Sequence, residues 1–417
     1  MHLAILTDEL ATSGNSSGGL ASFSANLARI FKRNGHRVTI LLVTTKQQEI
    51  VFDEGIALKH IYVEKAMWDK FAHMAKHIAA LTGEEEDTIR KVLVSLYKGE
   101  LVKDLIQQIH AGERIDIIHT CNLEQFALGL DDSIPYVVRI SSYMRVALNA
   151  SLPENREEYY DESTFTLKDQ LDIYLLQRAR YVISPSNLLA EMGKEKMGID
   201  PVVIESPFVL DRDHWDDSVY CSLVKGKKYI IHYGRMSYFK GSHIVAGVIK
   251  RILEKHPDIY MLLAGADEGL LDDNGQQVMA HELIKEAAER YADRVIYAGC
   301  LVREQLYPLI ENAEICLLPY RIDNLSNACI EAMAMGKIVI GTDGASFEQL
   351  IDDRKSGFLC RRDNPESYLE AVDEVLSLSE AAKRQIESEA SRQVRRLAPE
   401  VIYRKYYDFY QKVISEW

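Results

Sequence analysis

The chain is predicted to be an α/β protein built from two successive domains, each around a parallel sheet. Three observations lead there. Short apolar strands alternate with amphipathic helices along most of the length, the order that builds βαβ units. That alternation runs through twice, with a charged, aperiodic stretch between the two passes. The 417 residues, 47% of them hydrophobic, are too many for one ordinary core and enough for two.

The elements justify this in order. Residues 3–7 are an apolar strand, followed by a polar loop from Thr12 to Gly19. Leu20, Phe23, Leu27, Ile30 and Phe31 then recur at helical spacing until Gly35, and residues 38–43 form the next buried strand. Residues 66–109 read as helices, with the acidic run 84–87 as a solvated helix start. Strands return at 115–119, 136–140, 181–184 and 202–204. The stretch 211–227 is charged and without period, which places the domain boundary there. The second pass has strands at 229–233, 261–264, 295–298, 315–318 and 338–341, with a helix over 241–255. The tail from 380 to 417 is helical. Two such halves facing a cleft suit a ligand at the carboxyl ends of the strands.

Composition narrows the function. A net charge of −14 argues against a dedicated nucleic-acid binder. The six cysteines form no C-x-x-C pair, which points to a reducing compartment and no zinc site. No apolar run reaches the ~18 residues of a membrane span, and Met1 to Asp8 lack a signal peptide's basic start. The expected location is cytoplasmic. The tail aromatics Tyr403, Tyr406, Tyr407, Phe409, Tyr410 and Trp417 suit helix packing, while Arg392, Arg395, Arg396, Arg404 and Lys405 also suit weak peripheral contact with anionic lipid.

Three segments carry chemistry. Gly18 and Gly19 open the first helix, where free N–H groups meet an anion and glycine permits close approach. The spacing is neither G-x-G-x-x-G nor a P-loop, so a plain tight turn explains the pair as well. Arg235 and Lys240 lie five residues apart on a strand-to-helix loop ending at Gly241, a spacing that can grip both phosphates of a diphosphate. A solvated loop is the alternative. The segment Asp323-Asn324-Leu325-Ser326-Asn327 precedes a helix that holds Glu331. Ser326 or Asn327 can cap that helix, its free amides can face an anion, and Glu331 can accept from both ribose hydroxyls. Otherwise Glu331 only complements the helix dipole. No paired carboxylates on a cleft loop suggest a metal: Asp272-Asp273 and Asp352-Asp353 read as turns.

Taken together, the glycine pair, the Gly234-Arg235…Lys240-Gly241 loop, and Leu318-Pro319…Glu331-Ala332-Met333-Ala334-Met335-Gly336 resemble the retaining glycosyltransferases of family 4. The run 342–348 and Ser356-Gly357-Phe358-Leu359 extend the likeness over nearly the whole chain. The resemblance implies a GT-B fold, with an acceptor-side domain over 1–210 completed by a C-terminal helix at about 398–417 that crosses back, and a donor domain over 211–397. It implies transfer of a sugar from a nucleotide-diphosphate sugar to an acceptor, with retention, no metal and no cofactor. Arg235 and Lys240 would hold the diphosphate, Glu331 the ribose, and Asn324, Leu325, Ser326 and Asn327 the donor sugar and phosphates. Gly18 and Gly19 would close over the donor, and Cys300 and Leu301 would offer backbone groups to the base.

Two departures stand out. The first carboxylate of the family's glutamate pair is Asp323 here, one methylene shorter. The position that often holds histidine after the fourth strand is Cys121, two residues beyond His119. Asn122 and Arg139 are further cleft candidates, and the acceptor pocket is expected around 141–143 and 145–172, with Tyr143, Tyr159, Tyr160 and Phe165. A catalytically degenerate nucleotide-sugar-binding subunit of a partner enzyme is the alternative function.

Overall fold

The computed structural model describes residues 1–11, 18–44, 52, 55–153, 163, 165–210, 212–272 and 274–417. The chain forms two compact units. The first comprises Met1–Arg145, Tyr160–Pro207 and Pro399–Trp417; the second comprises Val146–Tyr159 and Phe208–Ala398.

The first unit and the chain through it run β1 (His2–Thr7), α1 (Gly19–Arg33), β2 (Arg37–Thr44), β3 (Ala57–Tyr62), α2 (Lys65–Thr82), α3 (Glu86–Gly112), β4 (Ile117–Cys121), β5 (Tyr136–Arg139), α4 (Met144–Ala150), α5 (Leu167–Arg178), β6 (Val182–Ser184), α6 (Asn187–Met197) and β7 (Val202–Val203). The seven strands are parallel in the order β3-β2-β1-β4-β5-β6-β7. Central β1 and β4 are buried along their whole length, as a sheet covered on both faces demands. Helix α1 buries Phe23, Leu27, Ile30 and Phe31, the apolar stripe its sequence spells out.

The second unit runs α7 (Ser218–Leu223), β8 (Lys228–Tyr233), α8 (Ser242–Lys255), β9 (Ile259–Ala264), β10 (Leu270–Leu271), β11 (Gln277–Val278), α9 (Ala280–Ala287), β12 (Val295–Tyr297), α10 (Arg303–Glu311), β13 (Ile315–Leu318), α11 (Asn327–Ala334), β14 (Val339–Thr342), β15 (Phe358–Cys360), α12 (Pro365–Ser377) and α13 (Glu380–Val394). Its parallel sheet has the order β12-β9-β8-β13-β14-β15. Ile230, Met261, Leu263, Ile315 and Leu317 of the strands meet Val245, Val248 and Ile252 of α8 in its core. The last helix, α14 (Pro399–Glu416), returns to the first unit, where Tyr406, Tyr410 and Val413 are buried.

Four expectations need correction. The fourth strand covers 117–121 rather than 115–119, because Thr120 and Cys121 continue the pairing with Val138 and Arg139. The aperiodic stretch 211–227 holds the short helix α7, with the Asp216 carboxylate accepting from the Ser218 amide at 3.0 Å; six residues are too few for a visible period, and Asp211 lies outside the described residues. Edge strand β3, the β10–β11 hairpin, α9 and β15 were not anticipated, being short or polar. The helical tail is interrupted by a 3-10 turn at Arg395–Leu397, after which Pro399 opens α14 where a missing amide costs nothing.

Candidate functional site

The loop between β8 and α8 is built on a buried polar chain. His232, fully buried and held near pKa 4 by that burial, is neutral at physiological pH. Its Nδ1 is 3.0 Å from the Leu317 carbonyl, so Nδ1 donates and Nε2 accepts from the Ser242 hydroxyl at 3.1 Å. The Ser242 oxygen in turn accepts from the Ser237 amide at 3.1 Å. Gly241 closes the loop with φ +71°, and a Cβ there would lie 1.8 Å from the Pro319 carbonyl oxygen, so only glycine fits. The two loops that follow β8 and β13 are therefore pressed together.

On this frame Lys240 reaches Asp323, Nζ to Oδ2 2.8 Å, with the two side chains 15% and 19% exposed. Lys240 also lies over the Tyr320 ring, 3.9 Å from its centre, and the Tyr320 hydroxyl donates to the Tyr233 carbonyl at 2.7 Å. Arg235, on the same loop, points to Glu268 at 3.0 Å and is largely exposed. Both sequence-predicted cations are thus present on one loop, each against a carboxylate. Asp323 Oδ1 accepts from the Asn324 amide at 2.8 Å, so the shorter acidic side chain is spent on Lys240 and its own loop.

Helix α11 starts where the capping residue predicts: the buried Ser326 hydroxyl accepts from the Cys329 amide at 3.3 Å. Leu325 is buried, and Asn324 and Asn327 are partly exposed beside it. Glu331 lies in the second turn, 7% exposed. Burial raises its pKa, opposed by Arg303 at 3.8 Å and by the hydroxyl of Tyr307, which donates at 3.2 Å. Arg303 and Tyr307 stand four residues apart on α10 and so share one face. Sequence reasoning missed this pair; their spacing just after Leu301 was the available signal. Beyond β12, Gly299 takes φ +78° and its carbonyl accepts from the Gly265 amide at 2.8 Å, while Cys300 is exposed and Leu301 partly so. Asp267, also missed, accepts from the Gly269, Ala280 and His281 amides at 2.8–2.9 Å and anchors the hairpin and α9. Asp272 accepts from the Asn274 and Gln276 amides, as a turn residue does, and Asp273 lies outside the described residues. Asp352 is likewise in a turn, closed by Ser356.

The first unit gathers a different set at the carboxyl ends of β1, β4 and β5. Gly18 and Gly19 are exposed at the start of α1; residues 12–17 of their loop lie outside the described residues. His119 is buried in β4 and its Nδ1 meets the Tyr410 hydroxyl at 2.7 Å; burial lowers its pKa to about 3, leaving it neutral. Cys121 is buried, its thiol pushed up to about 12 by desolvation, so it is not a thiolate nucleophile. Asn122 donates to Asp172 at 2.9 Å and to the Ser142 carbonyl at 2.8 Å, and its oxygen accepts from the Ser141 amide at 2.8 Å. Arg139 is buried against the Phe23 ring at 4.1 Å and donates to Ser141 at 3.2 Å and Ser206 at 3.0 Å. Burial raises Asp172 to about 7 and Asp8 to about 6. Glu124 and Gln125, just past β4, both adopt left-handed backbone, φ +61° and +51°, which costs a side-chain-bearing residue of order 1–3 kcal/mol. Tyr143 is buried and donates to the Leu189 carbonyl at 3.1 Å. Tyr159 and Tyr160 lie outside the described residues, and Phe165 is partly exposed. Of the tail cations, Lys405 pairs with Glu205 at 2.8 Å and Arg392 pairs with Glu389. No helix among the described residues is long and apolar enough to cross a membrane.

Two parallel-sheet Rossmann-like units, the second ending its strands in a cationic loop and a capped helix mouth, define the GT-B class. The comparisons agree. Residues 220–392 match the model of the family "Glycosyl transferases group 1". Over 162 residues it is 26% identical to spore coat protein SA of Bacillus subtilis, covering 38% of this chain and 42% of that one. Over 154 residues it is 25% identical to a D-inositol 3-phosphate glycosyltransferase of Corynebacterium urealyticum, covering 36% and 35%. The chain thus matches less than half the length of these curated relatives. Among solved structures, sucrose-phosphate synthase from Thermosynechococcus elongatus superimposes with a TM-score of 0.74 at 16% identity, covering 100% of both chains. The Anabaena protein HepE, solved in complex with UDP, gives 0.64 at 14% identity over 99% and 100%. At these identities the structures establish the fold.

Proposed function

We propose that the protein transfers a sugar from a nucleotide-diphosphate sugar to an acceptor held by its N-terminal unit, retaining the anomeric configuration as family 4 enzymes do. The observation that carries this reading is the convergence in the second unit of Lys240, the Ser326-capped mouth of α11 and buried Glu331. Breaking the glycosyl–phosphate bond leaves negative charge on a nucleoside diphosphate. Lys240, Arg235 and the free amides at the start of α11 meet that charge where it develops, the role a divalent cation serves elsewhere, so the reaction is read as metal-independent. The donor phosphate displaces the Asp323 and Glu268 carboxylates from these cations. Glu331, kept from water and fixed by Tyr307, accepts from the ribose hydroxyls. The acceptor hydroxyl is deprotonated by the departing phosphate on the same face of the sugar.

The relatives' names support the class: a GDP-mannose-dependent α-mannosyltransferase of Xanthomonas oryzae is 27% identical over 151 residues. A thermal-shift series with UDP-, GDP-, ADP- and dTDP-sugars, followed by proton NMR of the product of the stabilising donor, tests the proposal. A shift with one nucleotide class and a retained anomer are expected. An inverted anomer rejects the front-face route, and no shift with any nucleotide rejects the donor site.

A further inference from the structure

Arg321 lies on the loop between β13 and α11, two residues before Asp323. It is 3% exposed, yet its guanidinium is fully engaged. Nε donates to Asp363 Oδ1 at 2.9 Å; Nη1 donates to the carbonyls of Ala150 (3.2 Å) and Leu152, and Nη2 to that of Pro153 (3.1 Å). Ala150 is the last residue of α4, so the guanidinium caps the carbonyl that ends this helix and two more in the turn after it. The same residue is bound into both anion-facing loops. Its amide donates to the Phe239 carbonyl at 3.0 Å, and its side chain lies over the Tyr238 ring, 5.4 Å from the centre. Asp363 also takes His243 Nε2 at 3.1 Å, tying the first turn of α8 into the cluster. Asp363 itself adopts φ +50°, a conformation uncommon for a residue with a side chain.

The segment so held is unusual in its place. Val146–Tyr159 belongs to the second unit, although the chain before and after it belongs to the first. One buried side chain of the second unit, Arg321, binds three of the segment's carbonyls, those of Ala150, Leu152 and Pro153.

We propose that Arg321 is a positioning residue that joins residues 146–153 to the loops bearing Lys240 and Asp323, so that a nucleoside diphosphate on those loops and the order of that segment are coupled. The coupling rests on the donor site proposed above; the docking does not. Since coupling is reciprocal, occupancy of the loops stiffens the segment, and loss of the segment loosens the loops. Lysine keeps the charge but cannot reach Asp363 and three carbonyls in fixed directions.

Hydrogen exchange of the full chain, read by mass spectrometry with and without UDP and GDP, tests this. Arg321→Lys, with its fold checked by circular dichroism and melting, is compared with the wild type; Asp363→Asn serves if the lysine variant does not fold. Without nucleotide, amides in 146–153 are expected to exchange at least tenfold faster in the variant. In the wild type, the nucleotide that binds slows exchange both at 325–334 and at 146–153. In the variant it slows only 325–334. Equal exchange of 146–153 in a folded variant and the wild type overturns the docking. Protection of 146–153 by nucleotide that survives in the variant overturns the coupling. If neither nucleotide protects 325–334 in the wild type, the donor assignment fails and the coupling with it, while the ligand-free comparison still decides the docking.

Discussion

The strand ends of the two units handle polar groups in opposite ways. In the second unit the cations Arg235 and Lys240 stand on one loop, the first largely exposed and the second mostly buried, and are matched by Glu268 and Asp323. In the first unit the polar atoms are buried. Asp8 Oδ1, His119 Nε2, Thr120 Oγ1, Gln125 Oε1 and Arg139 Nε have no hydrogen-bond partner among the described residues. The contrast teaches that one set of strand ends presents cations paired with carboxylates, whereas the other withdraws its polar groups from water.

The contrast can be broken at either end. The largest effect is expected from Lys240→Ala. Losing one contact to a developing oxyanion costs about 2–4 kcal/mol of barrier, roughly 30- to 900-fold in turnover, while the melting temperature stays near wild type. Arg235→Ala should cost less, because Arg235 is more exposed and screened. A rate within twofold of wild type for both variants removes the phosphate assignment.

Next is the pH response of the first unit. Desolvation raises Asp172 to about 7 and Asp8 to about 6, both from a usual value near 4. The folded state keeps protons that the unfolded chain has already released. The stability these groups allow is fully present below pH ~4 and is lost as pH rises through 6 and 7. Melting curves at pH 5 and pH 8 should therefore show a fall that Asp172→Asn flattens, since asparagine still accepts from Asn122. An unchanged slope in that variant contradicts the buried-acid account.

Two smaller effects sharpen the comparison. Tyr410→Phe removes the hydroxyl at His119 Nδ1 and should destabilise the first unit by about 1–3 kcal/mol in urea melts. Ser326→Ala should cost about 1 kcal/mol through the lost cap of α11, and should also weaken nucleotide binding severalfold if, as proposed, the amides at that helix start meet the phosphate.

The same contrast explains what was legible in the sequence. Strands buried on both faces, such as 229–233 and 315–318, announce themselves as apolar runs, and capping residues such as Ser326 mark helix starts. Arg235 with Lys240, and Asp323 with Glu331, could be singled out as candidates because each pair lies within one short segment. The partners that tune them were not. Tyr307 and Arg303 meet Glu331 across 24 and 28 residues, and Arg321 meets Asp363 across 42, and no local period reports such contacts. Asp172 finds Asn122 across 50 residues for the same reason. The interior placement of Cys121 and Arg139 follows from strand register, which pairs them directly and which periodicity alone does not reveal.

The most direct measurement is a crystal structure of the chain with the nucleoside diphosphate that stabilises it most. The account predicts the pyrophosphate within hydrogen-bonding distance of Lys240 Nζ and the amides at the mouth of α11, with Asp323 turned off the lysine and the ribose on Glu331. A pyrophosphate seated elsewhere, with the Lys240–Asp323 pair still closed, would contradict it.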